Sequence, residues 1–124
     1  MTATAPTIQT RSLAEPDEVR EADKARIEVM SIGGIDLLRI RVQPGWKWSE
    51  SIKPLAGTDT CQIAHVGYCV SGQLHIEMDD GGTADLSAGD AFTCEPGHDA
   101  WVVGDEPAVF LEFSPSAQHY GTAP

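Results

Sequence analysis

Residues 59–113 read DTCQIAHVGYCVSGQLHIEMDDGGTADLSAGDAFTCEPGHDAWVVGDEPAVFLEF. Turn signals interrupt this stretch at short, regular intervals: Ser71-Gly72, Asp79-Asp80-Gly81-Gly82, Ala88-Gly89-Asp90, Pro96-Gly97 and Gly104-Asp105. Between them lie runs of strand character at 73–78, 83–86, 91–94, 98–103 and 108–113. Strands recurring roughly every 8–12 residues with Gly, Pro and Asp between them specify an all-β sandwich or barrel. Glycine and acidic turn residues close such hairpins because they tolerate the backbone angles that tight turns require.

Within it, the run from Asp59 to Gly72 is expected to be a turn followed by one strand. Asp59, Cys61 and His65 then recur at even spacing, and side chains two or four apart on a strand share a face. A carboxylate, a thiol and an imidazole would look into one space. Cys94 and His98, also evenly spaced, flank Glu95-Pro96-Gly97 and offer a second group of candidate ligands.

Working outward, residues 26–32 and 35–42 alternate around Gly33-Gly34 and read as a hairpin, with Leu38, Ile40 and Val42 on one side and Arg39 and Arg41 on the other. Residues 8–13 are a candidate first edge strand. The charged segment 16–24 reads as a loop or one short helix starting at Pro16. Trp46 and Trp48 would share a face of a short strand, as core or rim fillers or as an apolar pocket wall. Residues 51–59 read as a polar loop. The division is an N-terminal arm at 1–25, a barrel at 26–114 and a flexible tail at 115–124.

A chain of 124 residues builds one domain. Its formal charge of −11, from 19 acidic and 8 basic residues, argues against nucleic acid or an anionic membrane as partner. No apolar run approaches the ~20 residues of a membrane span. No secretory signal is visible, and three cysteines cannot all pair internally, so free thiols in the cytoplasm are expected.

The order Gly-Tyr-x-Val-Ser-Gly (67–72), acidic glycine turn, Leu-Ser-Ala-Gly-Asp (86–90), Pro-Gly (96–97) resembles the cupin family of small β-barrels over residues 40–113. The resemblance implies a cupin-type barrel or jelly roll with a short N-terminal arm. The family's two motifs fall on 59–72 and 89–104. Its four usual metal-ligand positions are held here by Asp59, Cys61, His65 and Ala100, so the usual set of three histidines and a glutamate is absent. His98, two residues before Ala100 on the same expected face, is the candidate replacement. The segments around 45–49, 57–62 and 95–107 also resemble a recurrent small bacterial cupin type, which implies no particular reaction. The resemblance further implies a homodimer joined through its sheets.

Three readings of the chemistry follow. In the first, Cys61, His65 and His98 hold a divalent metal, with Asp59 or water in the fourth place. Thiolate with two imidazoles suits Zn(II), with Fe, Cu and Ni as other occupants. Three protein ligands and one open position make a catalytic form of site, with Trp46, Trp48 and Phe92 as the apolar wall around a small-molecule substrate of oxygenase, lyase or isomerase chemistry. In the second, a metal-free pocket uses His65 as acid or base, oriented by Asp59 or Asp99. In the third, the same pocket is a non-catalytic sensor or binding module. Cys69 and Cys94 are read as barrel packing, His75 as solvated, and Asp79-Asp80 as turn chemistry.

Overall fold

The computed structural model describes residues 7–114. The expected tail at 115–124 and residues 1–6 of the expected N-terminal arm lie outside them. Two antiparallel sheets face each other. The larger has the order β1 (Glu18–Ala22), β2 (Ala25–Ile32), β3 (Ile35–Val42), β9 (Ala108–Ser114), β4 (His65–Ser71) and β7 (Ala91–Cys94). The smaller has β6 (Thr83–Ser87), β5 (Gln73–Met78) and β8 (His98–Val102). The all-β architecture expected from the turn spacing, with the jelly-roll form that the resemblance implies, is the one observed.

Period-two patterning builds the core. Ile27 and Val29 of β2, Leu38, Ile40 and Val42 of β3, Leu74 and Ile76 of β5 and Phe110 of β9 are all buried between the sheets. Gly33 and Gly34 both take positive φ at the β2–β3 turn, which lets a two-residue turn follow the strands' own twist. Register pairs Glu28 with Arg39 on the outer face, where the guanidinium donates to the carboxylate at 2.7 and 3.0 Å.

Several local expectations give way to tertiary pairing. The first strand is Glu18–Ala22, inside the charged segment read as loop or helix, while residues 8–13 form no strand. Only one side of an edge strand pairs, so the charged side chains of β1 stay in water and blunt the edge. The segment at 46–48 is not a strand: Trp46 is buried in the core, Lys47 makes a single bridge to Trp101, and Trp48 starts α1 (Trp48–Ser51). α1 ends where the expected polar loop begins, and that loop itself contains α2 (Lys53–Ala56); both are single-turn helices, the second capped by Gly57 at φ 75°. No helix among the described residues is long and apolar enough to cross a membrane.

Candidate metal centre

The strand expected from Asp59 onward begins at His65 instead. Cys61 is held separately, by an isolated bridge to His98 in which the Cys61 N–H donates to the His98 carbonyl at 2.8 Å and the Gly97 N–H donates to the Cys61 carbonyl at 2.7 Å. This pairing carries the thiol across to the start of β8. On β4, alternation turns His65, Gly67 and Cys69 inward, and on β8 it turns His98, Ala100 and Val102 inward. The result is a buried cluster of Cys61, His65 and His98 whose ligand atoms all lie within 4.8 Å of one another.

Asp59 is not among them. Beyond the bridge the chain leaves the barrel, so its side chain is 98 % exposed and sits 3.4 Å from Lys53. Asp99 does not orient His65 either, since its carboxylate accepts from the Ser49 and Ala100 N–H groups. The orienting group is Glu112, a residue the sequence pattern leaves without a face. It lies on β9 opposite Gly67, in phase with buried Ala108 and Phe110. His65 is the diagonal neighbour on the same inner face, and its Nδ1 meets Glu112 Oε1 at 2.5 Å.

The hydrogen bonds fix how each ring is presented. With Nδ1–H given to Glu112, His65 offers Nε2, which stands 3.5 Å from Cys61 Sγ. His98 donates Nδ1–H to the Glu95 carbonyl at 2.7 Å, which likewise leaves Nε2 as its lone-pair nitrogen. The rings lie edge to face with centroids 5.0 Å apart.

The groups shift one another's protonation. Burial pushes the Cys61 thiol up, but hydrogen bonds from His65 and His98 outweigh it and bring the thiol down to about 7. Burial lowers His65, yet the Glu112 charge and the bonds to Cys61 and Glu112 raise it above the ordinary imidazole range. His98 is raised as well, against burial, by Cys61, Cys94 and the Glu95 carbonyl. These shifts all favour the charged forms of the three groups, and any proton on Nε2 or Sγ would have to leave for a metal ion to bind there.

A small internal cavity of about 20 Å³ adjoins His65, His98, Glu112 and Phe92, room for about one water. Trp46 and Trp48, expected as a possible wall, do not line it; they are buried in the core at 1 and 2 % exposure. A wider depression of 560 Å³ around Gly72, Ala88 and Gly104 lies at the other end of β4 and contains none of the cluster.

Residues 61–114 match the profile of the cupin domain. A search of curated proteins finds no match. Solved structures of similar fold include ectoine synthase from P. lautus, with a TM-score of 0.65 and 14% identity over 92% of this chain and 81% of that one. An RmlC-like cupin from Shewanella frigidimarina gives a TM-score of 0.57 and 19% identity over 82% and 86% of the two chains. Oxalate decarboxylase from Lactobacillus farciminis gives 0.64 and 14% identity over 94% of this chain, which spans only 36% of that longer protein. At these identities the likeness is one of fold.

Proposed function

We propose, starting from the match of residues 61–114 to the cupin domain, that the chain is a small-molecule enzyme with a divalent metal held by Cys61, His65 and His98. The observation that carries this reading is the pair of Nδ1 hydrogen bonds, one to Glu112 and one to the Glu95 carbonyl. Histidines that ligate metals characteristically give their second N–H to a carboxylate or carbonyl, which fixes the tautomer and raises the basicity of the ligand nitrogen. Both histidines do so here, beside a thiol whose protonation is already lowered. The donor set of one thiolate and two imidazoles fits Zn(II), with Fe, Cu or Ni as the other candidates. When bound, zinc would supply Lewis-acid polarisation, and iron or copper redox chemistry.

The chain's own residues would do the rest. Glu112 keeps the His65 ring in place and neutralises charge, and the apolar walls exclude bulk water. Ectoine synthase and oxalate decarboxylase show that neighbours of this fold include enzymes. The test is elemental mass spectrometry on protein purified without an affinity tag, with Cys61→Ala and His65→Ala alongside. Near-stoichiometric metal in the parent, lost in both variants, is the expected result. No metal after reconstitution with Zn, Fe, Cu and Ni would leave the second reading, in which His65 held by Glu112 acts as a metal-free acid or base.

The reading extends to a homodimer in the cytoplasm. The outer face of the larger sheet exposes Val66, Tyr68 and Val70 of β4 beside Phe113 of β9, an apolar patch of the kind that partners cover. Light scattering behind a sizing column should give twice the chain mass for the parent, and Tyr68→Lys should shift it to the monomer. A monomeric parent at micromolar concentration would rule the dimer out.

A further inference from the structure

The internal cavity beside the histidines holds about one water, too little for any organic substrate. A second space lies against it. Between β6 and β7, the two edge strands on this side of the barrel, runs a groove of about 330 Å³. That is near the lower end of the ~300–1,000 Å³ typical of small-ligand pockets. Ile76, Phe92 and Cys94 line both spaces, so groove and cavity adjoin at these side chains. Phe92 is the only one of the three that is not fully buried. Its ring is partly exposed, stands edge-on to Phe110 at 6.2 Å, and occupies the space left by the missing side chain of Gly67, where a Cβ would come within 3.0 Å of it.

The walls also specify charge. Ile76, Met78, Ala84, Leu86 and Phe92 make the groove mainly apolar. Among the described residues no lysine or arginine lines the groove or the cavity, so an anionic group would find no counter-ion there. A cation is served no better, because Glu95 at the rim is exposed to water and Glu112 is already engaged by His65. At the centre itself, the two charges of a divalent ion would be cancelled by the Cys61 thiolate and the Glu112 carboxylate. Burying an unpaired charge in such a place is costly.

We propose that the groove between β6 and β7 is the substrate site, that its substrate is an uncharged small molecule with an apolar body, and that the Phe92 ring sets how far that body reaches toward His65 and His98. The assignment of the groove as a substrate site rests on the metal-centre reading, whereas occupancy of the groove can be read without it. Met78 lines the groove and Met30 lies in β2 of the other sheet, so a ¹³C-methionine-labelled chain carries a probe and an internal control. The 124-residue chain, metal-free and zinc-loaded, would be titrated with hexanamide, hexanoate and hexylamine while the Met78 and Met30 methyl signals are followed.

Hexanamide should shift Met78 saturably and leave Met30 unmoved, with affinity at least about tenfold above that of the two charged analogues. Phe92→Ala, and Phe92→Leu should the first fail to fold, should raise affinity for the bulkier 3-phenylpropanamide relative to hexanamide. Equal or tighter binding of hexanoate or hexylamine, an unmoved Met78, or unchanged size preference in the Phe92 variants would overturn the proposal. A chain that takes up zinc yet binds no amide sinks this inference alone. One that binds the amide yet takes up no metal sinks the metal centre and leaves the groove standing.

Discussion

Glu112→Ala should lower metal affinity by about 10- to 100-fold, equivalent to about 1.4–2.7 kcal/mol, although Glu112 is not itself one of the three proposed ligands. The carboxylate holds the His65 ring through a 2.5 Å bond and sits at 7 % exposure. Removing it frees the ring to rotate and removes the charge that favours its N–H tautomer. Glu112→Gln is the informative partner, because its amide oxygen can still accept from Nδ1–H while the charge is gone. It should fall between the parent and the alanine variant. Competition with a chromophoric zinc chelator reads both. An alanine variant with parental affinity would mean that Glu112 is a packing residue and that His65 is held by something else.

Trp46→Ala should cost about 3–5 kcal/mol of folding stability, the range for emptying a large buried aromatic site. Domain stabilities of about 5–15 kcal/mol make that a large share of the whole. Trp46 is 1 % exposed, and its carbonyl accepts the Val102 N–H at 3.1 Å, so the ring packs inside while its backbone covers the edge of β8. Urea unfolding should show a lowered midpoint with little change in slope. The same variant, to the extent that it folds, should bind metal at parental affinity, because Trp46 lines neither the internal cavity nor the groove. Lost metal binding at undiminished stability would instead return Trp46 to the pocket wall.

The two tryptophans illustrate what residue spacing carries and what it does not. Trp46 and Trp48 look like neighbours on a strand face because they are two apart. The chain instead leaves β3, bridges once at Lys47 and turns into α1, which buries both rings by a route that no period of two describes. Alternation succeeds where the ladder is long and the apolar residues keep one parity: β3 and β5 carry Leu38, Ile40, Val42, Leu74 and Ile76 inward as their sequences indicate. It fails at β1, whose charged residues conceal a strand that needs only one paired side.

The candidate site divides in the same way. His65 and His98 were legible as inward residues beside turns, and Cys61 as a candidate ligand near them. Asp59 was drawn in by assuming one continuous strand, but the pairing that positions Cys61 ends at the bridge to His98. Glu112 is a strand residue whose face the sequence pattern leaves open, because apolar residues occupy both parities of β9. The available signal was its parity with Ala108 and Phe110, and its role depends on the register that sets it opposite Gly67. That register belongs to the assembled sheet, where β9 lies between β3 and β4, and not to the sequence of β9.

The visible and near-ultraviolet absorption of the cobalt-substituted protein tests the metal centre most directly. With Cys61, His65 and His98 as ligands, one equivalent of Co(II) should give a thiolate-to-cobalt charge-transfer band together with the intense d–d bands of low coordination. Cys61→Ser should remove the former. Six-coordinate, weakly absorbing cobalt with no thiolate band would contradict the account.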